Sequence, residues 1–235
     1  MLAAVVLGLA LAQPAFGGPS VTLAPTAAGL YAANCARCHG PQGEGLERQG
    51  PSLKGVGALA PDFYLRTGAM PLDDPHAQPT RSRVLFSERQ IGELVAYVAS
   101  FGKGPPIPNP QPQLGHVSAG MQLFTDHCAG CHQEVARGGY VTGARVPPLM
   151  DATVRQIAEA VRIGPYLMPR FSKRAITDTQ LNDIIAYVEY AKHPDNRGGW
   201  SIGDVGPWPE GMVTWLIAAA AIVFVCTLVG RRLRA

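Results

Sequence analysis

Four of the five cysteines lie in two short motifs with the spacing of cofactor-binding residues. Both motifs have the form Cys-x-x-Cys-His, and their members are Cys35, Cys38 and His39, and Cys128, Cys131 and His132. Two pairs that share a zinc ion typically lie roughly 15–20 residues apart, whereas these motifs begin 93 residues apart. Disulfide bonds or redox-active cysteine pairs fit an exported protein, but neither requires a histidine after the second cysteine.

Covalent attachment of haem c, in contrast, requires all three residues of the motif at this spacing. The two thiols lie one helical turn apart and can form thioethers on neighbouring pyrroles, while the next residue falls beneath the iron. The sequence therefore predicts two haem c groups, attached through the four motif cysteines, with His39 and His132 as iron ligands.

A methionine followed by proline comes after each motif. Met70 lies 35 residues beyond the first cysteine of its motif, and Met168 lies 40 residues beyond the first cysteine of the second. A thioether opposite the histidine saturates the iron, favours the ferrous state and leaves no open position for a substrate. The alternative is that both methionines fill gaps in a core. Met121 and Met150 compete for the second iron, but we expect the first in a helix and the second in the packing.

The elements around these residues occur twice in the same order. Ser87 and Thr177 each precede a glutamine by three residues and begin a stretch with apolar residues at helical spacing, which predicts a capping box and a helix in both places. Residues 62–67 and 153–163 supply short middle helices. Each half is predicted to contain a helix, a haem loop, a short helix, a methionine loop and a closing helix.

This arrangement resembles the class I cytochrome c fold over residues 24–193. The resemblance implies that an aromatic residue of the first helix packs against one of the closing helix, pairing Tyr31 with Tyr97 and Phe124 with Tyr187. The expected fold is mainly α, with two tandem cytochrome c domains and one C-terminal transmembrane helix.

The same family uses a proline carbonyl to accept a hydrogen bond from Nδ1 of the iron-binding histidine, which fixes the ring orientation. The matching residues are Pro51 and Pro147. The first domain departs from the family pattern by an insertion at residues 72–86, either a docking loop or variable surface.

Both ends of the chain carry apolar segments, which divide it further. Residues 1–19 indicate a signal peptide or an N-terminal apolar segment. Residues 211–230 are uncharged and, at 1.5 Å per residue, long enough to cross a bilayer of roughly 30 Å. Arginines in the tail at 231–235 place the C-terminus in the cytoplasm and the haem domains outside.

The rest of the chain is predicted to form two domains and two linkers. The ranges are domain one at 20–103, a proline-rich linker at 104–114, domain two at 115–193 and a second linker at 194–210.

The body of the chain carries no excess charge. Of the 20 Lys and Arg, three lie beyond residue 230, so the rest balance the 17 Asp and Glu. The body of the chain therefore lacks the excess positive charge that binding to nucleic acid requires, and nucleic acid is excluded as a partner.

The whole layout resembles the dihaem cytochrome cc subunit of actinobacterial-type cytochrome bcc complexes. The resemblance implies partners: cytochrome b, a Rieske iron–sulfur protein as electron donor, and a terminal oxidase as acceptor. The chain would then be an electron carrier within a quinol:cytochrome c oxidoreductase of the respiratory chain. Two alternatives stay open: a dihaem carrier for another membrane dehydrogenase or oxidase, and a dihaem peroxidase.

Overall fold

The computed structural model describes residues 26–193 and 207–233 of the 235-residue chain. The predicted N-terminal segment 1–19, most of the second linker and the last two residues of the tail lie outside the described residues.

The fold is mainly α, as predicted, and its two halves repeat the same order of elements. In the first half the helices are α1 (Ala27–Asn34), α2 (Ala36–His39), α3 (Leu59–Arg66) and α4 (Glu88–Ala99). In the second half they are a 3₁₀ turn (Pro112–Leu114), α5 (Val117–His127), α6 (Ala129–His132), α7 (Val154–Ile163) and α8 (Asp178–Lys192). The last helix is α9 (Pro207–Leu233).

The closing helices begin where the sequence predicts. The Ser87 hydroxyl accepts a hydrogen bond from the backbone N–H of Gln90, and the Gln90 side chain bonds back to the Ser87 backbone. The same reciprocal pair joins Thr177 and Gln180 at the start of α8. Both capping boxes are confirmed, and each satisfies two backbone N–H groups that have no partner within the helix.

The first middle helix starts three residues earlier than expected. We predicted residues 62–67, but α3 begins at Leu59 and takes in Pro61. Proline is tolerated in the first turn of a helix, because the N–H that it lacks would have no intrahelical acceptor there. The second middle helix begins after Thr153, as predicted, and has a capping box that the sequence analysis did not identify.

Each half has a core of its own. In the first half, Tyr31 of α1 packs with apolar residues of α3 and α4. In the second, Phe124 of α5 packs with residues of α7 and α8. Each helix presents one apolar face, so the helices enclose a single cluster per half. The two clusters correspond to the two predicted domains.

A small hairpin in the second half was not predicted. Strand β1 (Gly139–Val141) pairs antiparallel with β2 (Ala144–Val146), and Tyr140 lies opposite Arg145. The turn contains Gly143 with φ of 87°, a conformation that glycine adopts without steric cost.

The proline-rich linker packs against both halves. The Pro105 carbonyl accepts a hydrogen bond from the backbone N–H of Leu59 at 3.2 Å. Further on, the backbone N–H of Gln111 donates to Oδ1 of Asn182 in α8 at 2.8 Å. Because both its ends are bonded, the linker restrains the two halves relative to each other. Its last residues form the 3₁₀ turn. The proline content predicts no helix in this linker, so the turn differs from the prediction.

The insertion at 72–86 joins the two halves directly. Its Arg81 donates from Nη2 to the carbonyl oxygen of Asp151 at 3.0 Å and from Nη1 to Oε1 of Gln156 at 3.3 Å. Gln156 in turn donates from Nε2 to the carbonyl oxygen of Arg66 in α3 at 3.3 Å. Neither alternative considered for this insertion anticipated the contact between the halves.

Helix α9 has the length and composition of a membrane span. Within Gly211–Arg232, an 18-residue stretch has a mean hydropathy of 2.5 and is not buried against the rest of the protein. Apolar side chains such as Trp215 and Leu216 are exposed. An exposed apolar helix of this length is consistent with a membrane anchor.

Candidate functional site

The first Cys-x-x-Cys-His motif forms a single helical turn. Cys35 ends α1, since its backbone N–H bonds to the carbonyl of Tyr31, and it also begins α2. The backbone N–H groups of Cys38 and His39 both donate to the carbonyl of Cys35, at 3.1 Å and 2.9 Å. This turn brings the two cysteines and the histidine together, as covalent haem attachment requires.

The second motif repeats this geometry closely. Cys128 has φ −124° and ψ −37°, against −122° and −38° for Cys35. The N–H groups of Cys131 and His132 donate to the Cys128 carbonyl at 3.1 Å and 2.9 Å. Two motifs 93 residues apart therefore fold into the same local structure, and both can hold the same group.

The ring nitrogens of both histidines have defined roles. Nδ1 of His39 lies 2.8 Å from the carbonyl oxygen of Pro51, and Nδ1 of His132 lies 3.2 Å from that of Pro147. A carbonyl oxygen only accepts hydrogen bonds, so Nδ1 carries the proton and donates it. Nε2 then keeps its lone pair, which is the state of an imidazole that binds a metal.

Burial also favours the neutral form of the second histidine. His132 is buried. Loss of hydration lowers the pKa of His132, and the hydrogen bond to Pro147 opposes this shift without cancelling it. A neutral imidazole at physiological pH is the form that coordinates iron.

The leading cysteine of each motif is an uncharged thiol. Burial raises the pKa of Cys35 to about 11, and the nearby Cys38 adds to the shift. Burial likewise raises the pKa of Cys128 to about 11, with a further contribution from Cys131. All five cysteines belong to the described residues and none is in a disulfide. Across the described ranges, no three His, Cys, Asp or Glu side chains converge as they would around zinc.

The predicted methionine ligands lie at the edges of the two cores, where each is half-buried. Met70 packs against the cluster that also contacts Cys35, and Met168 packs against the cluster that contacts Cys128. Each thioether therefore borders the same core as a motif thiol. Of the competing methionines, Met121 lies in α5 and is 53% exposed, while Met150 packs against the second core.

Aromatic side chains close each core next to the motif. The ring centroids of Tyr31 and Tyr97 are 5.4 Å apart, and those of Phe124 and Tyr187 are 5.3 Å apart. The resemblance implied both pairs. It did not include Phe101, whose ring lies edge-on to Tyr31 at 5.2 Å. Edge-to-face contacts at this separation are favourable beyond the area they bury.

Two tyrosine hydroxyls that the sequence analysis missed hold the loops after the motifs. Tyr31 donates to the carbonyl of Gly40 at 2.8 Å, and Tyr187 donates to the carbonyl of Glu134 at 2.6 Å. Gly40 and Glu134 lie just after His39 and His132. The only sequence signal was that each tyrosine sits at an apolar helix position, where phenylalanine would pack equally well.

Gly50 is a further residue that the sequence analysis overlooked. A Cβ atom at Gly50 would lie 2.9 Å from the backbone carbonyl oxygen of Cys38. A side chain there would push Pro51 away from His39, so this position needs glycine for close approach rather than for its φ angle.

The donor set in each half fits a haem c group. It consists of two thiols on one turn, an imidazole with Nε2 free, a thioether bordering the same core, and an apolar aromatic wall. This chemistry is that of an electron-transfer haem with histidine and methionine ligands.

Comparison with known proteins gives a family for the chain. The family model described as "Cytochrome C oxidase, cbb3-type, subunit III" matches residues 22–98 and again residues 115–188. A protein from Corynebacterium diphtheriae named "Cytochrome bc1 complex cytochrome c subunit" is 35% identical over 86% of this chain and 79% of its own length. The chain belongs to this family of cytochrome c subunits. The Mycobacterium tuberculosis member is 37% identical over 91% of this chain and 79% of its own length.

Membership of this family confirms the resemblance drawn from the sequence. A cytochrome c subunit of this kind is a haem-bearing electron carrier of a respiratory-chain complex. The family model matches once in each half, in agreement with the repeated motif geometry. A more distant relative, the "Cbb3-type cytochrome c oxidase subunit CcoP" of Azospirillum brasilense, is 28% identical over 66% of this chain and 57% of its own length.

Proposed function

We propose that this cytochrome c subunit binds two haem c groups and relays electrons from a Rieske iron–sulfur protein to a terminal oxidase. The donor would belong to a quinol-oxidising complex that also contains cytochrome b. The observation that carries the proposal is the repeated turn at the two Cys-x-x-Cys-His motifs, with backbone angles that agree within about 2°. Two equivalent sites on linked halves suit a relay.

In each half, different residues would attach the haem, coordinate its iron and orient the coordinating histidine. Cys35 and Cys38 would form the thioether links in the first half, and Cys128 and Cys131 those in the second. His39 and His132 would hold the iron through Nε2, and the carbonyls of Pro51 and Pro147 orient each imidazole. Haem c, when bound, supplies one-electron exchange between the ferric and ferrous states.

Methionine ligands make each half a carrier rather than a catalyst. Met70 and Met168 would each supply a thioether ligand to the iron of their half, and an iron with all its ligand positions filled would admit neither peroxide nor oxygen. The aromatic pairs around Tyr31 and Phe124 exclude water, which keeps the change in charge at iron from being strongly solvated. A dihaem peroxidase, in contrast, requires one site that opens.

The anchor keeps the relay close to its membrane partners. Helix α9 crosses the bilayer, and the arginines at its end hold the C-terminus in the cytoplasm by the positive-inside rule. Both haem domains then lie on the extracytoplasmic face. Fusion of a reporter that is active only in the cytoplasm to the C-terminus would give signal, and a silent fusion would reverse the topology.

Haem counting tests the sites with a matched control. We expect two covalently bound haems per wild-type polypeptide and one in Cys128→Ala, since a single thioether is a poor anchor. Cys226 lies in α9, outside both motifs, so Cys226→Ala should retain two. Fewer than two haems in the wild type would refute the proposal.

Purification from native membranes in mild detergent tests the partners. Recovery together with cytochrome b and a Rieske protein supports the relay. Recovery with a cbb3-type oxidase alone supports the second candidate, an oxidase subunit, which the distant relative and the family model favour.

A further inference from the structure

Two acidic side chains meet where the halves pack together. Asp62 of α3 is 2% exposed and Glu159 of α7 is 0% exposed. Asp62 pairs with Arg155 of α7, and Glu159 follows Arg155 by one helical turn, so the two carboxyl groups lie on the same side of the interface. Neither residue belongs to the proposed haem sites, so the proposed function gives no reason for this pair.

Only one of the two carboxyl groups is neutralised by cations. Nε of Arg66 donates to Oδ1 and Oδ2 of Asp62 at 2.9 Å and 3.0 Å, and Nη1 of Arg155 lies 3.7 Å from Oδ2. Two guanidinium groups therefore compensate the negative charge of Asp62. Arg66 also bonds to Glu88 at the start of α4.

Glu159 has no such support. Within the described parts of the chain, neither of its carboxyl oxygens receives a hydrogen bond from a donor group. The charges that face the pair are Arg66 on α3, Arg155 on α7 and Glu88 on α4, and Asp62 and Glu88 already match the two arginines. An ionised Glu159 would be an uncompensated buried negative charge, which is strongly unfavourable.

A proton on Glu159 removes this conflict. Its O–H donates to the Asp62 carboxylate, and the oxygen that lacked a partner gains one. Burial raises the pKa of Glu159 to about 9, and the hydrogen bond and negative charge of Asp62 add to the shift, while Arg155 and Arg66 oppose it.

We propose that Asp62 and Glu159 hold one shared proton between the two halves, and that loss of this proton loosens their contact. The site binds a proton at neutral pH and releases it in alkaline solution. Two carboxylates would then face each other across the α3–α7 interface, and their repulsion would weaken the contacts of Arg66, Arg155 and Gln156. The spacing of the halves therefore depends on pH, whichever partners exchange electrons with them.

Infrared spectroscopy of the full-length holoprotein in detergent tests the proton directly. At neutral pH we expect the carbonyl band of a buried protonated carboxyl group, shifted in deuterated water and lost as the pH rises above about 9. Glu159→Gln should lack this band at every pH. Glu93→Gln in α4, which removes a half-buried carboxylate paired with Arg89, serves as the matched control and should retain the band.

A second variant keeps the test decisive if Glu159→Gln fails to fold. Asp62→Asn replaces the negative partner by an amide that can donate, so the pKa of Glu159 should fall although the residue stays buried. The band should then disappear at a lower pH than in the wild type. The same pH dependence in Asp62→Asn as in the wild type, or absence of the band from the wild type, would overturn the proposal.

Distance measurement tests the consequence for the interface. Spin labels at Gly92→Cys in α4 and Thr179→Cys in α8, in a Cys226→Ser background, report the separation of the halves when both haems are reduced and diamagnetic. We expect the distribution to broaden and lengthen above about pH 9 in this background. Adding Glu159→Gln should preserve the neutral-pH distribution. If the labelled protein that retains Glu159 gives the same distance distribution at every pH, the proposed loosening is refuted.

Discussion

The two histidines proposed as iron ligands illustrate how much of the site is settled by individual residues. His39 follows Cys38 directly, and its Nδ1 is bonded at 2.8 Å to the carbonyl of Pro51. The motif selects the histidine, the proline fixes its tautomer, and Gly50 allows the proline to approach. One residue type is needed at each position for a different physical reason.

Replacement of the two proposed methionine ligands is the decisive test at this scale. Met70→Leu and Met168→Leu should each abolish the absorption that arises from charge transfer between methionine sulfur and ferric iron in one haem only. The reduction potential of that haem should fall, because the thioether favours the ferrous state. Redox titration with absorbance detection measures both effects.

The matched control is Met121→Leu, which alters an exposed methionine of α5. It should leave both haems unchanged. If Met168→Leu leaves the spectrum intact while Met150→Leu changes it, the second iron takes Met150 instead.

At the scale of elements, the packing of α5 on α8 depends on one glycine. A Cβ atom at Gly120 would lie 1.9 Å from the carbonyl oxygen of Asp183. The two helices thus approach closely enough for backbone contact. This close approach places the ring of Phe124 in contact with that of Tyr187. A capping box defines where α8 begins, while the close contact at Gly120 defines how α5 crosses it.

Two glycine substitutions separate packing from helix propensity. Gly120→Ala should lower the free energy of unfolding by about 2 kcal/mol or more, because rigid backbone atoms occupy the space of the new methyl group. Gly92→Ala in α4 meets no atom within 4 Å and should raise that free energy by up to about 1 kcal/mol. Denaturant titration of the holoprotein measures both, and equal effects would contradict the close approach.

At the scale of the whole molecule, three contacts fix the halves relative to each other: the bonded linker, the insertion through Arg81, and the α3–α7 interface. The insertion links the first half to Asp151 and Gln156 in the second. Electron transfer between two sites depends steeply on their separation, so such restraints matter for a relay.

Removal of the Arg81 side chain should increase the freedom of the halves without disturbing either haem. In Arg81→Ala we expect a broader distance distribution between spin labels on the two halves and unchanged absorption spectra. Arg89→Ala, in which the lost arginine bonds to Glu93 in the same helix, should leave the distribution as it is. An unchanged distribution in Arg81→Ala would show that the linker and the α3–α7 interface suffice.

The shared proton also gives the folded protein a characteristic dependence on pH. The pKa of Glu159 is raised from 4.5 to about 9 on folding, so its contribution to stability is complete below about pH 4.5. That contribution declines as the unfolded state ionises and is lost as the pH rises through 9. The melting temperature of the wild type should therefore fall by more degrees between pH 5 and pH 9 than that of Glu159→Gln. Calorimetry measures both melting temperatures. Parallel curves would contradict the assignment.

The sequence by itself determined the local features of this protein. A Cys-x-x-Cys-His turn, a capping box and an apolar helix of membrane length each depend on residues only a few positions apart, so spacing alone predicts them. It located α3 less well, since Pro61 was taken to lie outside the helix, and it missed the β1–β2 hairpin, whose strands have three residues each.

Only the tertiary structure decided what happens between distant elements. Asp62 and Glu159 are 97 positions apart and look like ordinary helix-surface acids in the sequence. Their burial, the proton they share and the contact of Arg81 with Gln156 arise when α3 packs on α7. The ionisation of a carboxyl group is set by the solvent and charges around it, and those are known only once the whole chain has folded.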